Sequence, residues 1–456
     1  MIARRFLQVV LAVFALLSPV KAQDVSDYVI GTYGAPPTVP SDPLPEPLTD
    51  AVRKVFQESV APIGSETQFI WGPEQVAALN VVASSKDPRL AWLIADLMRF
   101  VWQPEPTKQL ADTAGALLGK TWAEGDPWNQ VLDHLIAWDI PAPPDYLAFK
   151  KGIYTTLVHG WDRLFVEGDM DWRLVTWGGV PIDERPFGET DIPCTCIPAA
   201  DNPVVTSAEE ADWLSDDAIV FGIEINGEAR AYPRRIMEVR EMVNDTLGGR
   251  DLGIPYCSLC GAPQAYFTDN LPSGVTRPVL RTSGLLIRSN KVMFDLNTYS
   301  IFDTFKGVAV TGPLSEMGVV LEQVTVITTE WGAWRAAFPN TTVLRESLNL
   351  GKTFDFRDGR DADGPIFPVG ETDPRLSPNE DVLGVLSAAG TPVAFSRAGA
   401  LLALNTGSDV QHAGVSLELS AGGLRAFDDT GKELIGHQAF WFAWSQFYPG
   451  TALWGE

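Results

Sequence analysis

The chain carries four cysteines in two tight pairs, Cys194-Thr195-Cys196 and Cys257-Ser258-Leu259-Cys260. Sulfur at these spacings can do three kinds of chemistry. Tyr256-Cys257-Ser258-Leu259-Cys260-Gly261 has the shape of a metal knuckle. Its glycine permits the turn that aims backbone N–H groups at the sulfurs. Two such pairs supply the four thiolates of a tetrahedral zinc site, and soft sulfur suits Cu(I) equally. In an oxidising compartment the same pairs become disulfides, and four cysteines allow three connectivities that spacing does not choose among. A redox pair normally opens a helix that lowers the pKa of its first thiol. Here Pro263 follows and no helical pattern comes after it. Metal (Zn or Cu), disulfide and thiol redox therefore all remain open for Cys194, Cys196, Cys257 and Cys260.

Other chemistry-bearing residues are dispersed. His134, His159, His412 and His437 lie in different elements, none beside a cysteine, and read as ordinary packed or surface groups. Glu241, Asp245, Asp295 and Asp303 could gather, but a chain with 58 acids makes such pairs by chance. No nucleophile elbow, phosphate loop or zincin motif is present.

The elements that must position the cysteines fall into two textures. From 49 to 176 the apolar period is helical. Asp87-Pro88 and Asp126-Pro127 are two N-cap and first-turn proline starts. Their spacing approaches that of HEAT-type helix pairs, which suggests a helical-repeat-like layer. A last helix is expected to run from Phe149 to Phe165. From 177 onward alternating β-branched runs appear, separated by glycine turns. Asn226-Gly227 between 218–225 and 228–233 is a strong hairpin signal, because both central residues of a type I′ turn need positive φ. The segment 379–456 reads as a shortened second copy. The strand pair 381–385 and 391–395 echoes the first hairpin, and Phe440–Thr451 echoes Trp331–Thr341. The expected class is thus α+β: an all-α layer followed by a duplicated β-rich unit, 177–350 and 379–456, with a linker at 351–378. The paired tryptophans of the echoed segments (Trp331, Trp334, Trp441 and Trp444) read as packing residues.

Composition bounds the partners. The formal net charge is −24 among 456 residues. Such a surface repels nucleic acid and anionic lipid alike, both of which call for a basic face. Apolar residues at 45% exclude disorder over most of the length. Arg4 and Arg5, the apolar run Phe6–Leu17 and Val20-Lys21-Ala22 read as a secretory signal over 1–22, too short to span a bilayer. Six prolines between 36 and 47 suggest an extended tether over 23–48. A periplasmic or secreted location is expected, with no transmembrane segment after cleavage.

From Trp177 onward the chain resembles the bacterial family of domain of unknown function 3179. The carriers are Trp177-Gly178-Gly179-Val180, Ile197–Pro203, Gly222–Pro233, Val243-Asn244-Asp245-Thr246 and Tyr256–Gly261, with Ser283–Leu286, Ser289-Asn290, Met293 and Asp295. The resemblance implies an extracytoplasmic protein and no particular activity. It draws Asn244, Asn290 and Asp295 into the neighbourhood of the cysteines, with Glu241, Asp245, Tyr256 and Gly261. Val239-Arg240-Glu241 stands where the family typically has Trp-His-Glu, and 184–196 has the character of an insertion that brings the Cys-x-Cys pair. Three functions follow as expectations: a binding module with a cysteine-rich site, a thiol- or metal-dependent oxidoreductase, or an interaction scaffold that meets a protein partner on the helical layer.

Overall fold

The structure, a computed structural model, describes residues 27–63, 66–189, 192–346 and 364–455. The signal expected at 1–22 lies outside them. Among the described residues no helix is long and apolar enough to cross a membrane.

The N-terminal layer is built of the helices Glu46–Phe56, Pro73–Ser85, Ala91–Met98, Pro104–Leu118, Pro127–Ala137 and Tyr146–Leu157, of which Ala91–Met98 is buried along its whole length. Both aspartate–proline starts behave as caps. Asp87 accepts a hydrogen bond from Arg89 N and Asp126 from Trp128 N, the latter opening the helix of Val131 and Leu135. Three expectations are corrected here. The layer is not all-α, because Val60–Ile63 and Glu66–Phe69 pair antiparallel. The last helix stops at Leu157, and Gly160 (φ +92°) turns the chain into a separate 3-10 turn at Trp161–Arg163. The stretch read as a tether folds onto the layer: Asp27–Tyr33 is helical, Val29 is buried, and Val39 and Leu44 pack on the core. At its heart Lys150 is buried 2.6 Å from Asp96, whose carboxylate also accepts from Tyr146 and Tyr154.

Beyond Leu174 the described strands form five sheets of four to six strands each, in a five-bladed β-propeller arrangement. The protein is accordingly α+β. Sheet I holds Val175–Trp177, Leu280–Ile287, Asn290–Asp295 and Ile301–Phe302. Sheet II holds Ala200–Asp201, Met242–Leu247, Arg250–Cys257, Ala262–Pro263, Ala265–Phe267 and Glu322–Val324. Sheet III holds Val205–Ser207, Ile219–Ile225, Glu228–Pro233, Ile327–Glu330 and Thr342–Leu344. Sheet IV holds Asp381–Leu386, Pro392–Ser396, Gly436–Phe440 and Ala452–Leu453; sheet V runs from Val410–His412 to Glu433–Leu434.

Side-chain bonds and shared cores join the sheets to one another. Asn244 bonds the backbone of Leu280 between I and II, and Arg230 pairs with Asp245 between III and II. Thr329 Oγ1 donates to Ala421 O between III and V, and IV and V share one apolar core. Phe305, beyond sheet I, stacks on Phe447 of sheet IV's helix at 4.2 Å. The helical layer packs on sheet I, sharing Val175, Leu285, Val292 and Phe294 with it.

Sheets III and IV have the same plan. In each, a central antiparallel hairpin is flanked on one side by an antiparallel strand and on the other by a parallel one. The flanking strands are joined by a seven-residue helix, Trp331–Ala337 or Trp441–Phe447. Its second tryptophan packs flat on a strand glycine, Trp334 on Gly222 and Trp444 on Gly384. The indole N–H donates to the threonine after the helix, Thr341 at 2.9 Å and Thr451 at 3.0 Å. The linker expected at 351–378 is packed from 364 onward, with Val369 buried and its N–H held by Asp133.

Candidate functional site

The Cys-x-x-Cys turn lies between two strands of sheet II, and its position follows from local chemistry. Gly248-Gly249 (φ +56° and +72°) makes the two-residue turn that pairs Met242–Leu247 with Arg250–Cys257. Cys260 N donates to Cys257 O, closing a tight turn, and Gly261 leaves it at φ +59°. A Cβ on Gly261 would stand 2.8 Å from the Phe440 ring, so only glycine lets the turn approach sheet IV. Phe440 N completes that seam by donating to Cys260 O.

The sulfurs pair locally, Cys194 with Cys196 and Cys257 with Cys260. Of the metal, disulfide and redox readings that the spacing left open, both pairs show the disulfide. Each sulfur spends its bonding on its neighbour. Cys257 and Cys260 are only 2% and 0% exposed, whereas Cys194 is half-buried beside an exposed Thr195. Thiol exchange needs access for an attacking thiolate, so only the Cys194–Cys196 pair is open to it.

Among the described residues one group brings three metal-type ligand atoms within 4.8 Å of one another: Asp183, Cys194 and Cys196. Its donors are already engaged. Asp183 accepts from Arg185 Nε and Nη2 at 2.7 and 2.8 Å and from Ala199 N at 3.0 Å. Binding an ion would need both a reduced pair and a displaced arginine, so the set does not fit a metal as it stands.

Around these disulfides lies a buried polar cluster that the cysteine pattern did not announce. Arg281, fully buried, pairs with Asp201 at 2.5 Å and lies 3.7 Å from Asp183. Arg240 pairs with Glu346 at 2.8 Å. Lys291 Nζ sits 2.8 Å from Glu241 Oε2, and Glu241 Oε1 accepts from Ser258, inside the Cys-x-x-Cys turn. Lys291 N donates to Cys257 Sγ at 3.4 Å. Burial pulls the Lys291 ammonium below its ordinary range, partly restored by Glu241 and Asp183. Both disulfides thus border one charge network.

The other sequence candidates divide. Asn244 is satisfied by Asp201 and Leu280, Asp245 by Arg230, Tyr232 and Thr246 N, and Asp295 by Val279 N and Thr298. These three pin strands to one another. Asn290 donates to two backbone carbonyls and reaches Gln446 at 3.4 Å. Glu241 belongs to the network. Tyr256 and Gly261 instead face a cavity of about 170 Å³ between sheets II, III and IV.

Its other walls are Ile219, Phe221, Arg234, Thr328, Asp381, Arg397, Gln438 and Phe440. Sequence reading missed Arg397, Thr328 and Gln438, which lie far apart in the chain and in no motif. His437, read from the sequence as an ordinary packed or surface group, is buried and T-stacked on Phe305 and Trp444, with its pKa pulled down to about 4 by burial. On the helical layer a second, open groove is lined by Trp102, Lys108, Lys120 and Trp122.

Comparison with known proteins adds one match. Residues 194–405 fit the family model described as Protein of unknown function (DUF3179), covering both disulfides and all of sheet III. No curated protein and no solved structure matches.

Proposed function

Taking residues 194–405 as belonging to the DUF3179 family, we propose that the chain is an extracytoplasmic binding module whose ligand site is the cavity between sheets II, III and IV. One observation carries the reading. The Cys-x-x-Cys turn forms a wall of that cavity through Tyr256 and Gly261, while its own sulfurs are sealed away from solvent. A disulfide so placed fixes the shape of a site and does not react in it. The concave, largely preformed pocket with few convergent polar groups is the usual form of a small-molecule site. The oxidised pairs favour a periplasmic or secreted location, which is also what the sequence suggests. The common plan of sheets III and IV favours descent from one duplicated unit, of which only sheet III kept the neighbouring cysteine turn.

The test is a thermal-shift survey of the purified full chain against a broad set of small metabolites. At least one compound is expected to raise Tm by several degrees, by mass action on the folded state. The shift should vanish in Ile219→Trp, which fills the cavity, or in Thr328→Leu should the first variant not fold. If no compound raises Tm, or if the shift survives a filled cavity, the reading is wrong.

A further inference from the structure

The walls of the cavity are not neutral in their demands. Arg397, the residue that follows the Pro392–Ser396 strand, is largely withdrawn from water, and burial lowers its pKa with only Asp381 acting against the fall. Its Nη2 donates to Thr328 O at 2.8 Å. Among the described residues no carboxylate lies within ion-pair distance of its guanidinium. The contrast with the rest of the ring is sharp: Arg185, Arg230, Arg240 and Arg281 each sit on a carboxylate at 2.5 to 2.8 Å. A guanidinium left without a counter-ion in a low-dielectric wall is destabilising.

Two more groups point the same way. Thr328 is 8% exposed, and its Oγ1 has no hydrogen-bond partner among the described residues. Gln438 donates to Asp381 Oδ1 at 2.9 Å, but its own Oε1 accepts nothing. Arg397 and the Thr328 hydroxyl together offer donors to an anion. Gln438 Oε1 offers an acceptor to a hydroxyl. The Tyr256, Phe221 and Phe440 rings supply apolar walls. A cavity near 170 Å³ takes a molecule of roughly benzene size or slightly larger, on the order of six to ten non-hydrogen atoms.

The geometry points to a small hydroxylated organic acid as the ligand, its carboxylate paired with Arg397 and Thr328 and a hydroxyl taken by Gln438. This rests on the cavity being the binding site and adds the chemical class. A planar guanidinium fork matches a carboxylate in two parallel hydrogen bonds, which sets the acid apart from its neutral analogue.

Titration calorimetry on the full chain tests it with glycerate, malate and succinate, and with glycerol and inorganic phosphate as controls. The hydroxy acids are expected to bind, glycerol to bind at least tenfold more weakly, and succinate, lacking hydroxyls, to fall between. Arg397→Gln should weaken the acids by about 10- to 100-fold, the worth of a charge-assisted hydrogen bond. It should leave the ligand-free Tm unchanged or raised, because it removes an unpaired buried charge; a merely structural arginine would lower it. Equal binding of glycerol and glycerate overturns the acid while leaving the cavity reading standing. Phosphate tighter than every carboxylate overturns the organic acid in favour of a phosphate site. No binding by any acid, or acid binding indifferent to Arg397→Gln, overturns the proposal outright.

Discussion

Lys291 and Glu241 form a buried ion pair, Nζ to Oε2 at 2.8 Å, that clamps sheet I to the turn leading into sheet II. The same lysine donates its backbone N–H to Cys257 Sγ, and Glu241 accepts from Ser258. One pair therefore holds the Cys-x-x-Cys turn from two directions. Glu241 reaches it from a left-handed residue (φ +48°) that caps the Arg234–Arg240 helix.

Breaking this pair from one side should be costly. Glu241→Gln leaves the Lys291 ammonium buried without its counter-charge and is expected to lower unfolding stability by about 3–5 kcal/mol. Glu241→Leu with Lys291→Met removes both charges and should recover much of that loss. Urea unfolding of the single and double variants measures it. A single variant within about 0.5 kcal/mol of the parent would show that the pair is not what holds the turn.

His437 should make stability depend on pH. Its pKa is about 4 in the folded chain against 6.5 when exposed, so the unfolded chain takes up the proton first. Its contribution is complete above pH 6.5 and is lost as pH falls toward 4, a fall of about 3 kcal/mol. His437→Phe should flatten that part of the stability–pH curve. An unchanged slope between pH 6.5 and 4 would remove the histidine as its source.

The two disulfides should differ in reactivity. A mild dithiol followed by alkylation of the native protein is expected to label Cys194 and Cys196 and to spare Cys257 and Cys260. The reason is access: attack needs an approach to sulfur, and the second pair is closed off by Leu259, Phe440 and Phe305. Replacing Cys257 and Cys260 together by serine should cost about 2 kcal/mol, the small loop-closure term of so short a ring. Mass spectrometry of the labelled peptides decides the order; equal labelling of all four cysteines contradicts it.

The glycine–tryptophan contacts of sheets III and IV should respond alike. Gly222→Ala and Gly384→Ala each drive a methyl into an indole face, Trp334 or Trp444. Each should destabilise by about 1–3 kcal/mol or more, since neither ring has room to retreat. Thermal unfolding measures both. Tolerance of one and not the other would mean that the two sheets differ in how tightly they pack.

Much of the fold was legible because it is written in local physics. Asn226 (φ +53°) and Gly227 (φ +85°) make the two-residue turn that their types require, with Ile225 opposite Glu228. Trp331–Ala337 and Trp441–Phe447 are helices that end before Pro339 and Pro449, because a residue preceding proline avoids the helical region. The aspartate caps at 87 and 126 hold for the same reason: a side-chain oxygen two residues from a free N–H needs nothing remote. Local signals also misled. The apolar period from Phe149 to Phe165 suggested one helix, yet the helix stops at Leu157, and Gly160 (φ +92°) opens a separate 3-10 turn.

What these residues and their order determined, then, was the punctuation of the chain: hairpin turns, helix starts and stops, acidic surface, and two cysteine pairs each near enough to close on itself. Which groups meet across the ring was decided only by tertiary structure. Arg397, Thr328 and Tyr256 lie 69 and 72 residues apart along the sequence, and the walls they share exist only because sheets II, III and IV are brought side by side. Spacing along a chain governs short loops. The closing of a ring of sheets depends on the summed burial of their faces, which no single segment encodes.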